Sequence, residues 1–373
     1  MKNKLKVHRI VLKILLALVI VGIAGVMIYV GMTVSGKRSL YKKSANKKPD
    51  LASVATDWVE EEAEGSEEEA KEPVVVVPPE EEFDNWEEGD VRYKGVHYRY
   101  NDQALTFLFL GIDKDSTVKA SKNDRDGGQS DAIFLLVLNP KTKEASLIGV
   151  NRDTMADVDV YAETGEFLMT VKEQITLQHA YGDGKEISCE RSVEAVSKLF
   201  YNMPIHGYCA INYGAIPKIN DAVGGVDLVV LEDVKSDNKV VFKEGQSVHL
   251  SGKMATIYLR GRDCNSFESA GRRTERQKQY LLAYADTAKQ AIKKDATLLV
   301  SLYNTISKYM VTDVSADEVA YLSTLVSDYR LDADHVYSLK GETKMGEEFE
   351  EFYADEKAMY ELTLKVFYDV IDD

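Results

Sequence analysis

The sequence predicts a mixed α/β domain, with a central sheet flanked by helices, carried behind one transmembrane helix and an acidic linker. Three observations predict it. Short apolar runs at 105–110, 132–138 and 145–150 are followed by segments of helical period, the pattern of a layered α/β domain. Residues 14–34 carry no charge and are long enough to cross a hydrocarbon core of roughly 30 Å. Between the two regions lie glutamate blocks with too little apolar surface to offset the ordering entropy of a folded chain.

Taken in order, residues 1–13 are a basic tail carrying Lys2, Lys4, Lys6, Arg9 and Lys13. The span at 14–34 is longer than a signal-peptide core and shows no good Ala-x-Ala cleavage site, which favours an uncleaved anchor over a removed signal peptide. Basic residues flank it on both sides, so charge asymmetry gives almost no orientation. The layout of a short basic tail before a first apolar span places the N-terminus inside and the rest of the chain outside the cytoplasm. Residues 35–97 read as a spacer, because Glu60–Glu62, Glu67–Glu69 and Glu80–Glu82 repel one another. Val74–Val77 before Pro78-Pro79 is an extended piece.

The folded domain is expected over 98–373. Strands are expected at 105–110, 132–138 and 145–150, the last two joined by the hairpin turn Asn139-Pro140-Lys141-Thr142-Lys143. Ile133–Leu138 is apolar on both faces, so it should be a central strand. Helices are expected at 171–181, 188–201, 251–259 and 274–292. A strand at 226–231 should follow the turn Gly224-Gly225. Ser315-Ala316-Asp317-Glu318 is a capping box that opens another helix. A late strand at 336–339 and a closing helix at 355–371 complete the reading.

The formal net charge of −16 argues against nucleic acid as a partner, since phosphate backbones require a basic face. Cys189, Cys209 and Cys264 show no CxxC spacing, which argues against a zinc or thioredoxin-like motif. Cys189 and Cys209 either pair outside the cell or remain thiols; spacing does not choose between these.

Against this acidic background, arginines and aspartates gather at strand ends and helix starts. Asp113 follows an apolar strand and Asp131 opens the next one. If those strands pair antiparallel, the two carboxylates meet at one sheet edge and suit Mg²⁺ or Mn²⁺ completed by substrate phosphates. Taken singly, each also reads as a turn cap or a strand start. Arg152-Asp153 follows the third strand, and Asp153 either orients Arg152 or acts as a general base. Arg260 and Arg262 flank Gly261 at a helix end, where the chain must leave the helix for both to serve one site. Arg273, Arg276 and Gln277 share one face at the start of a long helix, a natural anion site.

The ordered set resembles the LytR-CpsA-Psr family of cell-envelope phosphotransferases. It comprises Gly111-Ile112-Asp113, Ser130-Asp131, the 139–143 hairpin, Val150-Asn151-Arg152-Asp153-Thr154, His179-Ala180-Tyr181, Gly224-Gly225-Val226, Leu250-Ser251-Gly252, Tyr258–Arg262 and Arg273–Gln277. That resemblance implies a sheet flanked by helices with an apolar tunnel for a polyprenyl chain. It also implies transfer of a glycopolymer, of teichoic acid or capsule type, from an undecaprenyl-pyrophosphate carrier to peptidoglycan. Asp113 and Asp131 match the Mg²⁺-associated aspartates. Arg152, Arg260, Arg262 and Arg273 match the pyrophosphate-binding arginines, Gln277 the glutamine beside them, with Arg276 in support. Asn151 stands where Pro is usual, Ala132 where Thr is usual, and Thr176 where many members carry Lys.

Two other classes remain in view: a polyprenyl-pyrophosphate hydrolase with water as acceptor, and a non-catalytic lipid-binding or regulatory membrane protein. A Ser/His/Asp hydrolase is weaker, because no Gly-x-Ser-x-Gly is present and His179 reads as a packed helix residue.

Overall fold

A computed structural model describes residues 27–45, 47–54, 85–121, 127–236, 239–262, 266–295, 297–325 and 328–371. The basic tail, most of the apolar run at 14–34, and the three glutamate blocks lie outside the described residues. Among the described residues, no helix is long and apolar enough to cross a membrane.

Helix α1 covers 27–43. Strands β1 (Val91–Tyr93) and β2 (Val96–Tyr100) precede the long β3 (Leu105–Ile112), β4 (Ser130–Asn139) and β5 (Glu144–Val150). A hairpin of β6 (Met155–Tyr161) and β7 (Phe167–Gln174) leads to α2 (Leu177–Ala180), α3 (Glu186–Leu199) and β8 (Gly207–Asn212). Helix α4 (Ile216–Ala222) is followed by β9 (Val226–Val229), β10 (Val234–Ser236), β11 (Lys239–Phe242) and β12 (Ser247–Leu250). Then come α5 (Gly252–Arg260), α6 (Ser269–Lys294), α7 (Leu298–Ile306), β13 (Met310–Thr312) and α8 (Ala316–Leu325). The chain closes with β14 (Val336–Ser338), β15 (Gly341–Met345), β16 (Glu350–Ala354), α9 (Glu356–Phe367) and β17 (Tyr368–Ile371).

The central sheet has the order β13-β8-β3-β4-β5-β14. It is mixed: β3 runs parallel to β8 and β5 to β14, while β3–β4, β4–β5 and β13–β8 are antiparallel. Asn139 builds the β4–β5 turn by accepting from the N–H groups of Lys141 (2.9 Å) and Thr142 (3.3 Å).

Strand alternation gives the sheet two unlike faces. One carries Leu108, Leu110, Ile133, Leu135, Ile148 and Ala210, buried against α3 and α9 in the main core. The other carries Phe107, Phe109, Phe134, Leu136, Cys209 and Ile211 and is only partly covered. Phe109 is 38% exposed there, although β3 is flanked on both sides by strands. Helix α6 covers this face over Gly149, where an added Cβ would press on the Thr274 methyl at 3.0 Å. At the base of β3, Leu40 of α1 packs with Leu105 and Phe107.

The structure corrects several expectations. Residues 171–181 are not one helix, because β7 runs to Gln174 and only Leu177–Ala180 is helical. Val171 sits opposite Val158 in the β6–β7 ladder, so its spacing to later apolar residues is accidental. The closing helix ends at Phe367, and Tyr368–Ile371 pairs with β2 instead. The spacer expected over 35–97 is folded wherever it is described: α1 reaches residue 43, Leu51 is fully buried in the main core, and β1 and β2 form a sheet with β17. Cys189 lies in the main core while Cys209 lies on the opposite face, and both are free thiols. Cys264 lies outside the described residues.

Candidate active site

The antiparallel pairing of β3 with β4 brings Asp113 and Asp131 to the same sheet edge. Gly111 pairs with Ala132 and Ile112 with Ser130, so Asp131 is the extra residue of a β-bulge. A bulge re-aims a side chain, and here it turns Asp131 toward the end of β5 and the first turns of α6. Asp113 is held by its own backbone N–H to Gln129 O (3.1 Å) and by Gln129 N–H to its carboxylate (2.8 Å).

Arg152 leaves the end of β5 into this corner, and each of its three guanidinium nitrogens makes one hydrogen bond. Nη1 donates to Asp131 Oδ1, Nη2 to Gln129 Oε1 at 2.6 Å, and Nε to Asp153 Oδ1 at 3.2 Å. Arg273 arrives from α6. Its Nη2 donates to Asp131 O at 3.2 Å and its Nη1 lies 3.5 Å from Asp131 Oδ2. One aspartate therefore joins two arginines from different elements. Arg273 is 4% exposed, and its Nε finds no partner among the described residues. A buried guanidinium N–H without an acceptor is costly, so this atom marks a place where an acceptor belongs.

Electrostatics follow from crowding. Burial lowers the Arg273 pKa to about 10; the neighbouring Arg262 and Arg152 push the same way, and Asp131 opposes them. Burial raises the Asp153 carboxyl, while Arg152, Arg262 and Arg273 pull it back. Arg262 thus acts on both Asp153 and Arg273 by charge. An anion placed among these arginines would relieve their mutual repulsion.

The remaining sequence candidates divide. Arg260 is exposed and stacks on the Tyr213 ring at 3.6 Å, immediately after β8. Because Asn212 is the β8 partner of Ile112, Arg260 stands on the same rim as Asp113. Arg276 and Gln277 do not join the cluster. Arg276 is 1% exposed; it pairs with Glu232 at 2.8 Å and donates to the carbonyls of Tyr258 and Gly261. Gln277 donates to Leu259 O at 3.2 Å. Both therefore satisfy the C-terminal carbonyls of α5, which a helix leaves without internal donors, and they set the position of the Arg260–Arg262 segment. As expected, the chain leaves the helix at Gly261, just past Arg260. The glycine's φ of −57° is open to any residue; what it provides is space, since a Cβ would lie 2.7 Å from the Ile257 and Lys235 carbonyls.

Gln129 is the residue that sequence reading missed. Its backbone holds Asp113 and its side chain holds Arg152, and only strand pairing reveals it. Asn151, in place of a proline, accepts from Asp153 N–H at 3.0 Å and shapes the turn that presents Arg152. Thr176 is fully buried; its hydroxyl donates to Ser130 O at 3.0 Å and its N–H to Arg152 O at 3.2 Å. It ties together the two strand ends that carry Asp131 and Arg152. His179 is buried, with Nδ1 2.8 Å from Gly128 O, in the packing role expected of it.

Asp113 and Asp131 fit a hard divalent cation in donor type, two carboxylates on adjoining strand ends with no soft ligand. Among the described residues no third carboxylate, histidine or cysteine joins them. Such a cation would take its other oxygens from water and phosphate, and Asp131 would have to yield its contact with Arg152.

The fold and the cluster define a class: a mixed α/β domain with an arginine-rich, carboxylate-buttressed corner at one sheet edge, above a half-open apolar face. The LytR_cpsA_psr family model matches residues 64–366, and the chain belongs to that family. Among curated relatives, the polyisoprenyl-teichoic acid–peptidoglycan teichoic acid transferase TagV of Bacillus subtilis is 29% identical over 193 residues, 50% of this chain and 44% of that protein. TagU of Bacillus cereus, named for the same transfer, is 30% identical over 222 residues, 58% of this chain and 62% of that protein. The chain thus spans less than two thirds of the length of these two relatives. In fold, it is similar to the crystal structure of a Streptococcus agalactiae protein (TM-score 0.55, 19% identity, 70% of this chain and 86% of that one). It is also similar to TagT bound to LI-WTA (TM-score 0.51, 21% identity, 70% of this chain and 89% of that one).

Proposed function

We propose that this chain is a phosphotransferase. It moves a glycopolymer from a polyprenyl-pyrophosphate carrier to a hydroxyl of peptidoglycan and releases polyprenyl phosphate. The observation that carries the reading is the junction of two surfaces. The arginine cluster around Asp131 lies at the end of β3, and the half-open face with Phe109 begins beside it. A ligand that is anionic at one end and a long hydrocarbon at the other matches that junction. Along β3 this face runs from Gly111 at the arginine corner past the exposed Phe109 to Phe107 and Leu105, which α1 covers.

In this reading Arg152, Arg262 and Arg273 bind the pyrophosphate, and Arg260 holds its outer rim. Phosphoryl transfer requires mainly positioning and neutralisation of charge. The arginines stabilise charge on the oxygen that bridges to the departing phosphate. Asp153 keeps Arg152 oriented, and its raised proton affinity suits it to take the proton of the incoming hydroxyl. Mg²⁺ held by Asp113 and Asp131, with Mn²⁺ as the alternative, would neutralise pyrophosphate oxygens when bound. The domain lies outside the cytoplasm, anchored by the apolar run at 14–34, within reach of both carrier and wall.

The test is product analysis with a lipid-linked glycopolymer donor, with and without peptidoglycan. Transfer requires polymer joined to peptidoglycan by a phosphodiester. Release of free polymer at the same rate without peptidoglycan would assign the chain to the hydrolases instead.

A further inference from the structure

We infer that α1 and α8 form a rigid mount that seats the domain directly on the bilayer, with the C-terminal end of α8 at the lipid surface. The inference rests on the proposed anchor at 14–34 and goes beyond it, because an anchor on a loose spacer would leave the domain free to tumble.

The contact between the two helices is built throughout its length. At Gly36 an added Cβ would lie 2.0 Å from Asp317 O and 2.6 Å from Glu318 N, so the two backbones touch and no other residue fits. Ser35 donates to Asp317 at 2.8 Å, and Ser39 donates to Glu318 at 2.8 Å. Lys43 pairs with Glu318 and Asp313, each at 3.2 Å. Glu318 is 1% exposed, so this charge is neutralised only while α1 is in place. Leu40, fully buried, inserts beside Leu105 and Phe107. Small residues at close-packed positions and a buried, partnered charge mark a permanent interface rather than a chance touch.

The register then sets the height of the domain. Lys43 meets Asp313, Ser35 meets Asp317, and the Tyr29 hydroxyl lies 3.1 Å from that of Ser323. The helices are therefore antiparallel, and the last turn of α8 lies level with Tyr29. On the outward side of α1, Met27, Ile28, Val30 and Val34 are all more than half exposed. Lys37, Arg38 and Lys42 follow at once. Apolar residues open to their surroundings and then a lysine–arginine boundary are what a helix shows as it leaves a bilayer. Tyr29 and Ser323 lie about 12 Å below Lys37 along the helix axis. The occupant of this surface is thus the bilayer itself.

The experiment uses the full chain, with its native cysteines replaced, in vesicles of phosphatidylglycerol and phosphatidylethanolamine that carry a headgroup quencher. A fluorophore is placed at Thr324→Cys, on the last turn of α8, or at Lys172→Cys on β7. The inference expects several-fold stronger quenching at 324 than at 172. Gly36→Leu should bring 324 down toward the level of 172, and the paired Ser39→Ala, Lys43→Met variant should lower it without adding volume. Equal quenching at the two positions in the parent chain overturns the mount, as does quenching at 324 that neither variant changes. Co-flotation with the vesicles separates the two layers of argument. A chain that floats but is not quenched at 324 contradicts only the mount, whereas one that does not float contradicts the anchor beneath it as well.

Discussion

Asp131 and Arg152 hold each other across the ends of β4 and β5, and Asp131 reaches Arg273 of α6 with its other oxygen. This carboxylate is the hinge of the candidate site. Asp131→Asn keeps the shape but removes the charge that aligns both arginines. It should lower transfer by about 10²–10³-fold, the scale of losing a preorganised transition-state contact. Gln129→Ala removes only one hydrogen bond to Arg152, and about a tenfold loss is expected. Steady-state kinetics of the two variants beside the parent will check the ordering; a Gln129→Ala loss as large as that of Asp131→Asn would refute it.

Arg260 and Arg276 should separate cleanly. Arg276 is buried on Glu232 and on the carbonyls at the end of α5, so Arg276→Ala leaves two helix-end carbonyls without these donors and leaves the partly exposed Glu232 to Arg272 alone. About 1–3 kcal/mol of stability should be lost, the cost of buried acceptors left without donors. Arg260→Ala removes an exposed side chain stacked on Tyr213 and should leave the denaturation midpoint nearly unchanged while transfer falls. Chemical denaturation of both variants, read beside activity, decides the point.

Thr176 explains itself once the strands are paired. Its side chain is enclosed and bonded to Ser130 O, so Thr176→Lys should destabilise the domain rather than add a phosphate contact. Thr176→Ser, which keeps the hydroxyl, should cost less than Thr176→Lys. A Thr176→Lys chain as stable as the parent and faster in transfer would contradict the reading.

Acid should weaken the fold through two histidines. Burial holds both His179 and His206 at a pKa of about 4, below the ordinary value of 6.5. Between those values the unfolded chain takes up protons that the folded chain refuses, so stability falls as pH drops from about 6.5 to 4. Each histidine contributes on the order of 3 kcal/mol across that window. Thermal midpoints over this range should decline, and His206→Gln should flatten part of the decline. A midpoint independent of pH there would show that neither group is held neutral.

How much of this was legible beforehand follows from locality. The strands at 105, 132 and 145 and the long helix at 274 were readable, because each carries an uninterrupted apolar run or a sustained helical stripe. β8 was not: Gly207-Tyr208-Cys209-Ala210-Ile211-Asn212 is short and mixed, and it becomes a strand only by pairing between β3 and β13. The β6–β7 hairpin was hidden because β7 is largely exposed and carries no buried stripe to mark its period. In the site, charge type and spacing pointed to Asp113, Asp131, Arg152 and Arg273. They could not distinguish Arg276, which caps a helix, from Arg273, one turn earlier, which meets Asp131. That difference depends on where α5 ends against α6, a tertiary fact. Gln129 left no mark in the sequence, since a glutamine before a strand has no chemical signature until an arginine reaches it.

The most direct test of the central claim is to follow both products of one labelled polyprenyl-pyrophosphate glycopolymer with the full chain and peptidoglycan present. The account predicts polyprenyl phosphate and peptidoglycan-linked polymer appearing in equal amounts, both lost together in Arg273→Ala. Polyprenyl phosphate that appears without linked polymer, or equal turnover in Arg273→Ala, would contradict it.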